Sequence, residues 1–250
     1  MNLVQARGFV LSTFSFKEAD KIAQIYSLQL GRLKAVVKGV RKPKSKLASS
    51  LELLTESSFS FHKKSGGDLY VLGQAKILDD YHELKQDFPT ITLLQLLSDI
   101  LIQSLQDHEP NAELYLLLRE TLEVLRVKRD IREQLLAAFC LRFLELSGYP
   151  LELSACVECG TGLERRKAVL IPHRGGALCE DCCSTGPARL RISPAGLGAF
   201  RQLKSLPLEK IHVLKLKPAF ARELFLTVLD YLERTIEKKL KTLDYYLKVI

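Results

Sequence analysis

Residues 32–46 read RLKAVVKGVRKPKSK. Leu33, Ala35 and Val37 alternate with Arg32, Lys34, Val36 and Lys38, the period-two pattern of a strand with one apolar face and one mostly basic face. Pro43 lacks an amide proton and stops pairing, so the cations that follow the strand fall in a loop. Arg32, Lys34, Lys38, Arg41, Lys42, Lys44 and Lys46 thus lie within fifteen residues with no acid among them. A solvated strand face would carry charge too. Seven cations without a counter-charge repel one another unless a polyanion is present, which favours phosphate binding.

The same short period extends over the first eighty residues. Leu3 to Phe16, Lys21 to Tyr26, Arg32 to Val40, Leu51 to Phe61 and Leu69 to Leu78 are five expected strands. Gly31 and the Lys64-Ser65-Gly66-Gly67-Asp68 turn are expected to close two hairpins. Five strands in this length suit a small closed barrel, of which the oligonucleotide-binding (OB) barrel is the kind that handles nucleic acid. Phe9, Phe14, Phe16, Tyr26, Phe59, Phe61 and Tyr70 serve such a core first. Tyr70 is the one aromatic read as a base-stacking side chain.

From about residue 90 the period becomes helical, giving an α+β chain. Ile91, Leu94, Leu97, Leu101 and Leu105 mark one helix. Asn111 caps a second through Leu125, and a third runs from Asp130 to Ser147, closed by Gly148 and Pro150. Ser193-Pro194 and Pro218 open two more, the last reaching Leu240. The domain boundaries expected are 1–80 for the barrel, 81–155 with 188–250 for the helices, and 156–187 for an embedded metal element.

That element rests on Cys156-x-x-Cys159 and Cys179-x-x-Cys182, two knuckles separated by nineteen residues. Four thiolates close a tetrahedral zinc sphere and leave no position for water, so the Zn²⁺ would be structural. A disulfide pair or an iron–sulfur cluster could use the same cysteines. A reducing compartment disfavours the first, and the lack of any other electron-transfer feature disfavours the second. Cys140 reads as a small core side chain, and Cys183 as a bystander.

Charge is distributed unevenly. The chain of 250 residues has a net charge of +8 and a pI near 9.1. Residues 1–80 hold +6, residues 81–150 −4 and residues 191–250 +6. Polyanion binding is expected at the basic ends. The richest apolar run, Ile91 to Leu105, is interrupted by Gln95, Ser98, Asp99 and Gln103, too polar for a membrane span. The start MNLVQARGFV lacks a secretory pattern, and a cytoplasmic, nucleoid-associated protein is expected. No His-x-Glu deaminase signature, Walker lysine loop or dinucleotide loop occurs, so the expectation is a binding protein and not an enzyme.

Two stretches carry a resemblance. Val36-Val37-Lys38-Gly39-Val40-Arg41-Lys42-Pro43-Lys44-Ser45 leading to Leu51-Glu52-Leu53 is one. Phe143-Leu144-Glu145-Leu146-Ser147-Gly148-Tyr149-Pro150 leading into the first cysteine knuckle is the other. The sequence resembles the RecO family of DNA repair proteins along essentially its whole length. The resemblance implies an OB barrel, a helical C-terminal domain and an embedded zinc element. It also implies binding of single- and double-stranded DNA, strand annealing, and work with RecR and the single-stranded DNA-binding protein SSB to load RecA. Arg126, Lys128, Arg129 and Arg132 form the only basic spot in the acidic middle, and an acidic SSB tail with an apolar tip is expected there. Arg201, Lys204 and Lys215 are the next place such a tail could meet. The rival is a zinc-ribbon transcription regulator, which would place a basic recognition helix in the major groove. Here the strongest basic cluster lies on a strand and loop.

Overall fold

The computed structural model describes residues 2–43, 45–63, 69–183 and 187–249. It divides into two compact units, Met1–Tyr115 with Leu240–Ile250, and Leu116–Lys239.

In the first unit β1 (Asn2–Phe16), β2 (Asp20–Ser27), β3 (Gly31–Val37), β4 (Glu56–Lys63) and β5 (Tyr70–Asp79) close a barrel in the order β1-β2-β3-β5-β4. This is the expected five-stranded architecture. Every neighbouring pair is antiparallel except β3 with β5. Val10, Ile25, Leu33, Ala35, Val37, Phe59 and Phe61 fill the interior, so the alternation read from β3 points its apolar members inward. The long β1 serves two neighbours: its first half pairs with β4 and its second half with β2, with a bulge between Val10 and Ser12. Bulges bend and twist a strand, which closure of so small a barrel requires. Gly31 has φ +67°, and a Cβ there would lie 2.4 Å from the backbone of Glu109, so this hairpin position needs glycine twice over.

Several expected boundaries shift. β3 ends at Val37 and not at Val40, because Gly39 (φ +64°) turns the chain before Pro43 is reached. β4 starts at Glu56 and not at Leu51. Ser49–Leu51 is a 3₁₀ turn, and Leu54 (φ +52°) donates its N–H to the Val10 carbonyl at 2.7 Å. Leu51 and Leu54 are buried, not spaced along a strand. The expected Lys64–Asp68 turn lies outside the described residues. Tyr70 is 4% exposed and sits edge-on to Phe61 inside the barrel, so its solvent-facing reading is corrected.

Helix α1 (Phe88–Ser104) starts with Asp87 accepting from the Thr90 N–H. It packs on β1, with Ser98 donating to the Leu11 carbonyl. A short helix that the sequence pattern did not announce, α6 (Leu243–Val249), packs on α1. Asp99 on α1 accepts from both the N–H and the hydroxyl of Thr242 (3.1 and 3.0 Å). Asn111 caps α2 (Ala112–Val127) as expected, accepting from Leu114 N–H at 3.0 Å.

In the second unit α3 (Arg132–Leu146) is buried along most of its length and packs on α4 (Pro194–Ser205) and α5 (Pro218–Thr235). Its Gln134 donates to the carbonyls of Ile211 and Leu214 (2.6 and 2.8 Å). Gly148 caps α3 with φ +85°, and Ser193 caps α4. α5 stops at Thr235, short of the expected Leu240. Glu237 takes φ +54° and Lys238 N–H returns to Glu233 O at 3.1 Å, a Schellman closure without its usual glycine. Between α3 and α4, β6 (Ala168–Ile171), β7 (Gly176–Cys179) and β8 (Arg191–Ile192) form a small antiparallel sheet with β6 central. Among the described residues no helix is long and apolar enough to cross a membrane.

Candidate nucleic-acid interface and metal centre

The seven barrel cations separate into two groups. Lys34 on β3, Lys38 just after it, and Arg41, Lys42 and Lys46 in the following turn are exposed. Arg32 is different. Its Nε donates to Asp107 Oδ1 at 2.6 Å and its Nη1 to the Ile102 carbonyl, and its side chain is 16% exposed. Its charge is committed inside the first unit. Lys44 lies outside the described residues.

The basic turn is fixed by backbone bonds. Gly39 N–H donates to Asp20 Oδ1 (2.7 Å), Arg41 N–H to Ala19 O (3.0 Å) and Lys42 N–H to Gly39 O (3.1 Å). These bonds tie residues 39–42 to the β1–β2 turn. There Lys17 stands with its Nζ 5.4 Å from the Phe16 ring centroid, and Phe14 is 45% exposed. The sequence pattern placed neither Phe14 nor Lys17 at this surface, since strand alternation around a bulge is ambiguous by one residue.

The four expected cysteines meet. Their sulfurs all lie within 4.8 Å of one another, and Cys159 Sγ and Cys179 Sγ are 3.8 Å apart. A tetrahedral ion with Zn–S bonds of ~2.3 Å sets S···S edges of ~3.8 Å, so the donor set could hold a metal ion. Each knuckle is a tight turn: Gly160 N–H returns to Cys156 O at 2.9 Å, and Cys182 N–H to Cys179 O at 3.1 Å. β7 delivers Cys179 from its last residue, and the Cys179 N–H points at Cys156 Sγ (3.4 Å). Contact with the Thr161 hydroxyl, and then its backbone, draws the Cys159 thiol down to about 6, while Cys159 and then Cys179 push the Cys182 thiol up. Opposite shifts are expected when close thiols compete for protons, and a divalent cation would displace those protons. Two of the three acids inside the knuckles are paired, Glu158 with Arg174, and Asp181 with Arg166 at 2.7 Å. Among the expected bystanders, Cys140 is fully buried and burial raises its thiol pKa; Cys183 is partly exposed.

Arg126 lies in the last turn of α2, and Lys128, Arg129 and Arg132 follow through a 3₁₀ turn into α3. All four are partly exposed, and Arg126 meets Glu123 at 3.4 Å. Val127 beside them is 75% exposed. Arg201 donates to the Leu153 carbonyl (2.9 Å) and Lys204 pairs with Glu145 (3.2 Å).

The family model for the N-terminal part of recombination protein O matches residues 1–81, and that for its C-terminal part matches residues 85–244. The chain belongs to the recombination protein O family. A DNA repair protein RecO from Moorella thermoacetica is 32% identical over 242 residues, covering 96% of this chain and 89% of the relative. Those from Desulforamulus reducens and Clostridium acetobutylicum are each 28% identical. Both alignments cover 98% of this chain, with 94% and 97% of the relatives. Membership in this recombination protein O family gives the chain a role in recombinational DNA repair.

Proposed function

We propose that the protein is a non-enzymatic recombination mediator that binds single- and double-stranded DNA and anneals complementary strands. With RecR it would help load RecA onto SSB-coated DNA, in the cytoplasm and at the nucleoid. The observation that carries this reading is the basic turn after β3. Lys34, Lys38, Arg41, Lys42 and Lys46 are exposed on and beside a barrel strand, where a phosphate backbone can be met without a recognition helix. Arg32 drops out of this set because Asp107 already holds it.

Zn²⁺ is the metal proposed for Cys156, Cys159, Cys179 and Cys182. An all-thiolate set at tetrahedral spacing suits zinc and leaves no open position, so its part is structural. The acidic SSB tail is proposed to meet Arg126, Lys128, Arg129 and Arg132, with the exposed Val127 offering apolar contact to its tip.

The experiment is annealing of complementary oligonucleotides precoated with SSB. Annealing at an unchanged rate with and without the protein would overturn the mediator reading. Replacing Arg129 and Arg132 by glutamate is expected to abolish binding of a labelled SSB tail peptide and to spare binding to naked DNA. Equal peptide affinity for that variant would move the tail site elsewhere.

A further inference from the structure

The chain that enters the first cysteine knuckle alternates two buried leucines, Leu151 and Leu153, about an exposed Glu152. Its backbone runs along the edge of β7 that β6 does not use. Glu152 N–H donates to Gly175 O (2.9 Å), Ala177 N–H to Glu152 O (3.1 Å), and Val157 N–H to Ala177 O (3.0 Å). The strand that ends in Cys179 thus also holds the chain on both sides of Cys156. Gly176 makes this approach possible. A Cβ there would lie 2.5 Å from Val157 Cγ1 and 3.0 Å from both the Cβ and the carbonyl oxygen of Glu152. Glycine inside a strand often marks such a close approach of another backbone.

The Glu152 side chain turns back on its own loop. Its Oε1 accepts from Ser154 N–H at 2.6 Å and from Ala155 N–H at 3.2 Å. The Ser154 N–H, ahead of the other causes, holds the carboxyl below the usual carboxylate range, as amides donated to the charged form do. Unlike Glu158 and Asp181, Glu152 has no arginine partner among the described residues. Its charge is spent on two amides, the second of them next to Cys156.

The rest of that turn is bonded across. Leu163 N–H donates to Ser154 O and Cys156 N–H to Thr161 O, both at 2.8 Å. Every link from Glu152 to the first thiol is therefore held, and only one of these links is a side chain. Charge-assisted bonds to backbone amides are about twice as strong as neutral ones, so this carboxylate is the link most open to a single substitution.

We infer that Glu152 is a positioning residue of the metal centre: its carboxylate fixes the two amides ahead of Cys156 and so presents the first knuckle to the ion. The inference rests on the metal reading above and adds a residue outside both knuckles that shapes the site. Glu152 touches no sulfur ligand and acts through the loop it holds.

Zinc affinity of the full chain is measured by competition with a chromogenic chelator, and thermal unfolding is followed with zinc and after its removal. Glu152→Ala is expected to weaken zinc binding about ten- to a hundredfold, the usual cost of losing an outer partner of a metal site. Its metal-free midpoint should match that of the wild type. Glu152→Gln keeps an acceptor oxygen in place and should fall between the two. A metal-free midpoint lowered as far as the zinc-bound one would assign Glu152 to the fold and overturn the positioning role. Equal losses in the Gln and Ala variants, erased by high salt, would mean simple attraction of the cation and overturn it as well. If Glu152→Ala gives no soluble protein, wild-type zinc affinity in Glu152→Gln is the overturning result. A wild type that takes up no zinc fails the metal reading itself, whereas zinc uptake with unchanged affinity in both variants removes this inference alone.

Discussion

Arg32 and Lys34 are two residues apart on the same strand face, yet they do different work. Arg32 is held at 2.6 Å by Asp107, seventy-five residues along the chain, and no local pattern announces such a partner. Lys34 is exposed. Arg32→Gln is therefore expected to cost about 1 kcal/mol of stability, as a partly exposed charged hydrogen bond does, and to leave the salt dependence of DNA binding unchanged. Substituting Lys34, Lys38, Arg41 and Lys42 together by glutamine should reverse that pattern. The single-strand salt slope should fall by ~0.7 for each lost phosphate contact, with urea midpoints unmoved. A slope that falls on Arg32→Gln would mean that the Asp107 pair opens for DNA. Elsewhere in the first unit, Tyr115 donates to Glu56 Oε1 at 2.8 Å, and Glu56 is 1% exposed. Burial, and for Tyr115 then the Glu56 carboxylate, pushes the phenols of Tyr26 and Tyr115 above their usual range. The unfolded chain releases these protons near pH 10 while the folded chain keeps them. Stability is thus whole below pH 10 and falls above it, by at most about 1.4 kcal/mol per pH unit for each tyrosine. Urea unfolding followed by circular dichroism at pH 9, 10 and 11 measures the slope.

Element boundaries were legible wherever a local signal made them. Asn111, Ser193, Pro194 and Gly148 each stand where the sequence places a helix end, because caps act within one turn. The misread boundaries have tertiary causes. Leu51 and Leu54 are apolar because they are buried in a turn, and Leu54 is held by the Val10 carbonyl. The end of α5 was hidden because Glu237, a residue with no preference for positive φ, occupies the closing position. α6 was missed for its length, seven residues, too short for a helical period to register. The α5 closure yields a prediction. Glu237 is exposed, and placing an ordinary residue in the left-handed region costs ~1 kcal/mol relative to glycine. Glu237→Gly should raise the thermal midpoint by a few degrees. A lowered midpoint would show that the Glu237 side chain contributes more than its backbone costs.

For the whole molecule, the barrel and the cysteine element fall in different compact units, and each carries its own signal in the sequence, period-two alternation for one and knuckle spacing for the other. A barrel core of Ile, Leu, Val and Phe stabilises itself by burial. The cysteine element cannot do so: its sheet has strands of four, four and two residues. An ion held by the four cysteines would supply what its small core lacks, because thiolates gathered by an ion are gathered only in the folded state. One zinc per chain is therefore expected. Cys179→Ser removes one of the four proposed thiolate ligands while keeping the backbone N–H that meets Cys156 Sγ, and it should lower the thermal midpoint and soluble yield markedly. Affinity for a single-stranded oligonucleotide, which the proposed function assigns to the barrel, should stay within about twofold of wild type. Metal analysis, thermal unfolding with and without chelator, and anisotropy titration separate the three quantities. A purified protein with well under one equivalent of zinc and no response to chelation would reject the metal assignment. A Cys179→Ser variant that keeps its midpoint but loses DNA affinity would reverse the division of labour, making the cysteine element a DNA contact and the barrel cations secondary to it.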